Sequence, residues 1–495
     1  MPEKNAFIDP DQSITFASLV NKARSIGSAL LTYVPPKNVI GFYLDKSCEA
    51  IAGFLGAVYA GCGYAQLNLR HPASRILSIV ESLNAGVVVT DRAHAEALSA
   101  IGIRDRILVL EDLMCGPANL ESLSRVRSSM IDLDPLYVNF TSGSTGSPKG
   151  VVVCHRNVID FIPVFIETFG IQESDVLANQ APFDFDVSVK DIYSGLFTGS
   201  TVAIIPTPYF TQPVTLMDYL CENRVTILIW AVSALCFLTT MNALAYRVPD
   251  QIRMIMFSGE TMPVKHLKKL QKYLPEATYI NLYGPTEITC NCTYFVLNRS
   301  FEDYESIPIG IPFQNERVFL LDEKDQEVTS PGNVGELCVS GSSVALGYWR
   351  NPERTNAVFT QNPLNPNIFE RIYRTGDLIR IEENGDWVYL SRKDFQVKHM
   401  GHRIELGEIE TRLNAIDGIE RALVSYLHDK GRILAFLCGT TSKETIIETL
   451  RVTLPDYMIP NLFCFVDQMP LTKNGKIDRA ALMEIYARQK GAARG

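Results

Sequence analysis

Residues 141–150, TSGSTGSPKG, hold three glycines, five hydroxyl side chains, one proline and one lysine. Glycines let backbone N–H groups approach a ligand closely, and the hydroxyls and Lys149 add further donors. A donor cluster with no acidic side chain suits a phosphate anion. The spacing is not that of a Walker A loop, because Ser147 and Pro148 separate Gly146 from Lys149. Taken alone, the segment reads equally well as a flexible surface loop rich in serine and glycine.

Other segments place reactive side chains at turns and strand ends. FDFDVSVKDIY (183–193) puts Asp186 ahead of a helical pattern, where it is either a helix N-cap or a carboxylate kept for a cation. NLYGPTE (281–287) offers Tyr283, Thr286 and Glu287, although Tyr283 alone reads as a core tyrosine at a strand end. Asp377 in YRTGDL (373–378) has a carboxylate able to accept from both hydroxyls of a diol. Arg392 in SRKDF and Lys476 in NGKIDR are, by residue type, ordinary surface and turn cations.

These residues need a scaffold. Apolar runs of strand length alternate with helical patterns: NVIGFYL precedes CEAIAGFLGAVYAG, STVAIIP precedes LMDYLCENR, and QIRMIMFSG precedes VKHLKKLQKYL. Such alternation predicts parallel sheets with crossover helices. TILIWAVSALCFL (226–238) is too short for a bilayer span of ~20 residues and reads as a core strand entering a helix. Between 315 and 350 the helices lapse into β-structure. From Asp394 onward an α+β pattern runs to the end. The fold class is therefore α/β: a large N-terminal domain of parallel sheets plus a β-subdomain, then a small mobile α+β domain. The boundary is placed at 392/393, giving domains 1–392 and 393–495.

With 495 residues, 46% hydrophobic and 20% charged, the chain has the composition of a folded enzyme of two or more domains. A net charge of −9 argues against a nucleic-acid surface. Eleven scattered cysteines, with Cys290 and Cys292 the only close pair, read as reduced thiols in a cytoplasmic protein rather than a metal site. MPEKNAFIDPDQ shows no secretory signal.

In order along the chain, TSGSTGSPKG, FDFDVSVKDIY, NLYGPTE, GELCVSGSSVALGYW, YRTGDL, SRKDFQVKHMGHRIELGEIE, LPDYMIP and LTKNGKIDR jointly resemble the adenylate-forming superfamily. Within it, the chain is similar to the amino-acid adenylation domains of non-ribosomal peptide synthetases and their free-standing relatives, including D-alanine–carrier protein ligases. One departure, GYAQLNLRHP (63–72), stands where the family has a proline and an Asp-Pro. The resemblance implies that a carboxylate is joined to the α-phosphate of ATP, and that the acyl group then passes to a thiol. It implies that Thr141, Ser142, Gly143, Ser144, Thr145 and Gly146 hold the β,γ-phosphates, with Lys149 as a mobile countercharge. Asn281 and Tyr283 would meet the adenine, Gly284 would belong to the same ATP/AMP site, Thr286 would meet the α-phosphate, Asp377 the ribose, and Arg392 ribose and phosphate. Glu287 would bind Mg²⁺. Lys476 would bridge carboxylate and phosphate in the transition state, carried by a C-terminal domain that turns about Asp394.

For the substrate, the resemblance implies that Asp186 pairs with an α-ammonium. Val187, Lys190, Ile229, Met256, Ser258, Gly259, Leu282, Cys290 and Asn291 would line the side-chain pocket. A small or medium neutral side chain fits most of these residues. Lys190 is expected to point out of the pocket, the alternative being that it meets an acidic side chain. Ser258 stands where D-alanine ligases carry cysteine. The expected acceptor is the phosphopantetheine arm of a separate carrier protein, since no carrier segment follows; neither nucleic acid nor membrane is an expected partner. The alternatives are an acyl- or aryl-CoA ligase, and a non-catalytic nucleotide-binding scaffold.

Overall fold

The computed structural model describes residues 1–104, 106–142, 148–393, 396–428, 430–470 and 477–492. Gly143, Ser144, Thr145, Gly146, Asp394 and Lys476 lie outside the described residues. The chain divides into two compact units. One is Met1–Leu69, Ile79–Phe140 and Gly150–Asp394; the other is Arg70–Ser78, Thr141–Lys149 and Phe395–Gly495.

The first unit is built on three sheets. A nine-stranded sheet has at its centre the strands Thr278–Tyr283, Met254–Ser258, Ile227–Ala231, Val176–Asn179, Thr201–Ile204 and Asn5–Ile8, neighbours in that order and all parallel. Antiparallel strands close both edges. A seven-stranded sheet centres on Gly63–Gln66, Val39–Tyr43 and Val88–Thr90, again parallel. The predicted β-subdomain is an antiparallel five-stranded sheet that includes Glu316–Leu321, Val334–Gly341, Arg371–Ile381 and Trp387–Arg392.

Strands buried on both faces alternate between two cores, as their period of two requires. Ile227, Ile229, Met254, Met256, Ile280 and Leu282 join one cluster, while Leu228, Trp230, Ile255, Phe257 and Tyr279 join the other. The segment 226–238 is the expected strand and helix, Ile227–Ala231 followed by Val232–Thr240. Ser258 and Tyr283 end their strands. The carboxyl ends of parallel strands are where an open α/β sheet leaves a crevice for ligands.

The second unit carries the hairpin Gln396–His399 with His402–Glu405, a sheet of Ile419–Leu427, Arg432–Gly439 and Leu462–Phe465, and the helices Leu406–Asn414, Lys443–Arg451 and Arg479–Ala492. Within it Arg75 pairs with Glu408 at 3.0 Å, both nearly fully buried. Burial, then the charges of Arg75 and His402, push His71 down to about 3. Burial, then His399 and Arg75, do the same to His402. Folded, these rings bind fewer protons than the unfolded chain, whose histidines titrate near 6.5. Their contribution to stability is whole above about 6.5 and drains as pH falls towards about 3. Hydrogen-exchange protection of the 396–405 hairpin is expected to fall over that window, and to fall less in a His71→Gln/His402→Gln variant. An equally steep fall in the variant would contradict this.

Among the described residues no helix is long and apolar enough to cross a membrane.

Candidate active site

Asp186 occupies the N-cap position of the helix Val187–Thr198, yet it does not act as a cap. Its backbone is already helical (φ −61°, ψ −24°) and its side chain makes no cap hydrogen bond. It is half-buried. The helix packs against the strand Ile227–Ala231, on the sheet face that also carries Met256 and Leu282. Ile229, Met256, Ser258, Leu282, Cys290 and Asn291 are all buried, and Val187 is half-buried. Gly259, at φ +94°, has open space where a Cβ would be.

The turn after Tyr283 completes this region with strained backbone. Thr289 and Cys290 lie at φ 39° and 80°, values that cost a β-branched residue energy unless its surroundings hold it there. Thr289 Oγ1 donates to the Ser343 carbonyl at 2.7 Å, and Cys290 Sγ donates to the Asp186 carbonyl at 3.0 Å. Gly284 is required by close packing: a Cβ there would lie 2.5 Å from Asn291 Cα. Burial, reinforced by Asp186, pushes the Cys290 thiol well up, so it stays protonated and serves as a donor.

Lys190 departs from expectation. It does not point out of the pocket; it is fully buried and its Nζ donates to Asn291 Oδ1 at 2.5 Å. The cause is its register, four residues after Asp186, on a helix buried at Ser188, Val189, Asp191 and Ile192 as well. Burial pushes its ammonium down against the pull of Cys290, Asp186 and Asp191.

Three of the residues assigned to ATP meet in one place. The Asp377 carboxylate accepts from the Tyr283 hydroxyl through one oxygen and from Arg392 Nη1 through the other. Asp377 and Arg392 are register partners on adjacent strands. The Arg392 side chain is only 7% exposed, so it is no ordinary surface cation. Asn281 Nδ2 donates to the Pro308 carbonyl at 2.8 Å. Thr286 is half-buried in the short turn Thr286–Ile288. Glu287 is fully buried and accepts from the Tyr348 hydroxyl at 2.7 Å. No group of three or more His, Cys, Asp or Glu able to hold a metal occurs among the described residues. A lone carboxylate fits Mg²⁺ and no ion that needs an all-protein cage.

Of the glycine loop, the second unit contains Thr141, Ser142 and Lys149. The Ser142 hydroxyl donates to the Arg403 carbonyl at 2.6 Å and accepts from Glu405 N at 3.1 Å. Thr141 Oγ1 is buried without a hydrogen-bond partner among the described residues, and Lys149 is buried.

Two residues escape a reading of the sequence. Tyr348, which holds Glu287, lies inside the GYW motif, where nothing in its type or spacing marks it as a support for a carboxylate. Lys46 lies in no motif at all. Its Nζ donates to the carbonyls of Asn179 at 3.1 Å, Gln180 at 2.9 Å and Ile205 at 2.9 Å. Its ammonium also faces the Phe183 ring at 5.8 Å. Burial pushes Lys46 down to about 7, against the pull of Asp191 and Asp184. Three carbonyl acceptors require three N–H donors, which only the charged ammonium has. Asn68 holds Asp184 from the other side, at 3.2 and 3.1 Å, so the departure at 63–72 supports the segment leading to Asp186. Lys46→Met removes a donor shared by three carbonyls, of which that of Asn179 keeps the Ile205 N–H at 3.1 Å, and is expected to cost about 1–3 kcal/mol in urea unfolding. An unchanged midpoint would contradict this clamp.

Comparison with known proteins identifies the family. Residues 1–349 fit the model of the AMP-binding enzyme family, and residues 408–476 that of the AMP-binding enzyme C-terminal domain. The chain belongs to the AMP-binding enzyme family, the adenylate-forming superfamily that its motifs resemble. It is 32% identical over 504 residues to tyrocidine synthase 1 of Brevibacillus parabrevis, covering 99% of this chain but only 45% of that protein. It is 32% identical over 495 residues to zwittermicin A synthase ZmaJ of Bacillus cereus, covering 97% of this chain and 92% of that protein. The structure of holo-PA1221, described as an NRPS protein containing adenylation and PCP domains bound to a vinylsulfonamide inhibitor, superposes with a TM-score of 0.84. The two share 25% identity, over 98% of this chain and 82% of that one.

Proposed function

We propose that this chain joins an amino acid to the α-phosphate of ATP, releases pyrophosphate, and passes the aminoacyl group to the phosphopantetheine thiol of a carrier protein. The observation that carries the reading is Asp186: a half-buried carboxylate at the start of a helix that packs on the strand Ile227–Ala231, not used as a cap. A carboxylate in that position can pair with a cation, and the α-ammonium of an amino acid is the cation assigned to it.

In this mechanism Asp186 fixes the amine, so that the substrate carboxylate is directed to the α-phosphate. Asp377, braced by Tyr283 and Arg392, binds the ribose. Thr286, Lys149 and Lys476 meet the negative charge that grows as two anions approach. The 141–150 loop takes the leaving pyrophosphate. Glu287, held by Tyr348, would bind Mg²⁺, which when present neutralises phosphate charge. Residues 1–392 form the adenylation core, and residues 393–495 turn about Asp394 to present Lys476. Its setting is cytoplasmic: eleven free cysteines suit a reducing compartment.

Pyrophosphate release across amino acids and their desamino counterparts tests the reading. Amine-bearing acids are expected to support it; a response confined to acids lacking the amine would make the chain an acyl- or aryl-CoA ligase instead.

A further inference from the structure

We infer that the pocket takes an α-amino acid whose side chain ends in an anionic group, with Lys190 as its countercharge. This rests on the assignment of Asp186 to the substrate amine. Asp186 and Lys190 are four residues apart on one helix and so share a face. Their separation along the axis is about 6 Å at ~1.5 Å per residue. A substrate anchored by its ammonium at Asp186 therefore directs a side chain of one or two methylenes towards Lys190.

An ammonium has three donors. Among the described residues, Asn291 Oδ1 is the one acceptor of Lys190, and Lys190 makes no ion pair. Two N–H groups of this fully buried cation have no protein acceptor among the described residues, and burying such donors unsatisfied is costly. Asn291 gives its oxygen to Lys190, so its NH₂ stands as a second donor at the same place. The nearby acids do not complete the set. Asp186 serves the amine; Asp191 accepts from Asn179 Nδ2 at 2.9 Å through one oxygen, and its other oxygen, buried without a hydrogen-bond partner among the described residues, makes no bond to Lys190. The thiol of Cys290 donates to the Asp186 carbonyl. Val187, Ile229, Met256 and Leu282 have no polar side-chain atoms to offer. No described side chain besides Asn291 bonds Lys190, and the substrate is assigned as the source of the missing acceptor. A pocket holding one carboxylate and one ammonium then mirrors a side-chain anion and an α-ammonium, while the reacting carboxylate faces ATP. The expectation of a neutral side chain is replaced on these grounds.

The test is ATP–pyrophosphate exchange by the full chain with aspartate, glutamate, asparagine, glutamine, alanine and leucine, and with succinate and glutarate as amine-free controls. One acidic amino acid is expected to exceed its own amide by at least ~10-fold in kcat/KM. Lys190→Leu is expected to reverse the ranking, with the acidic substrate losing ~100-fold or more and leucine gaining. Preference of the wild type for a neutral or amide side chain overturns the inference and leaves amino-acid activation standing. Exchange with the amine-free acids alone overturns the assignment of Asp186 itself. The wild-type panel decides between these outcomes even where the variant fails to fold.

Discussion

Asp186→Ala is expected to remove amino-acid-dependent pyrophosphate exchange, lowering kcat/KM by ~100-fold or more. Taking away one partner of a desolvated ion pair leaves the other charge buried and unpaired, at a cost of about 3–5 kcal/mol, and every ~1.4 kcal/mol is tenfold. The loss should fall on substrate recognition and spare the nucleotide. Asp377, Tyr283 and Arg392 form their cluster through one another and not through Asp186, so ATP affinity measured by calorimetry should persist. Asp186→Asn keeps the shape but not the charge and should lose nearly as much. A variant that still activates amino acids normally would mean that the carboxylate is idle and that the chain is a generic acyl ligase.

The second large effect is expected at Lys476. A lysine is a compact charge on a flexible stem, able to touch a carboxylate oxygen and a phosphate oxygen together. Lys476→Ala should lower adenylate formation by at least ~100-fold, the scale of losing one well-placed donor to a developing charge. Transfer of a preformed, added aminoacyl adenylate to the carrier thiol should be largely retained. Equal loss of both half-reactions would remove Lys476 from the adenylation step. The two variants differ in signature: Asp186→Ala loses discrimination for the amine, while Lys476→Ala keeps it and loses rate.

What could be read from sequence was what repeats at short range. The parallel sheets were legible because strands such as IGFYL and MIMFS are apolar on both faces and are separated by helical patterns. The cluster of Tyr283, Asp377 and Arg392 was legible only through motifs, since 94 residues separate Tyr283 from Asp377. Lys190 shows the limit. Its helix and its spacing from Asp186 followed from sequence, but its direction depended on Asn291, 101 residues away. By its type alone it belonged in solvent. Lys46 was invisible for a related reason: its partners are backbone carbonyls 133 to 159 positions distant, and a carbonyl has no sequence signature. The same holds for the strained turn at Thr289 and Cys290, whose support is the Ser343 carbonyl and the Asp186 carbonyl.

In the proposed reaction a substrate carboxylate oxygen becomes bonded to the α-phosphorus of ATP. Amino acid labelled with ¹⁸O in its carboxylate, incubated with the enzyme, ATP and an acceptor thiol, tests this directly. One labelled oxygen is expected in the AMP and none in the pyrophosphate. Unlabelled AMP, or label appearing in inorganic phosphate, would contradict it.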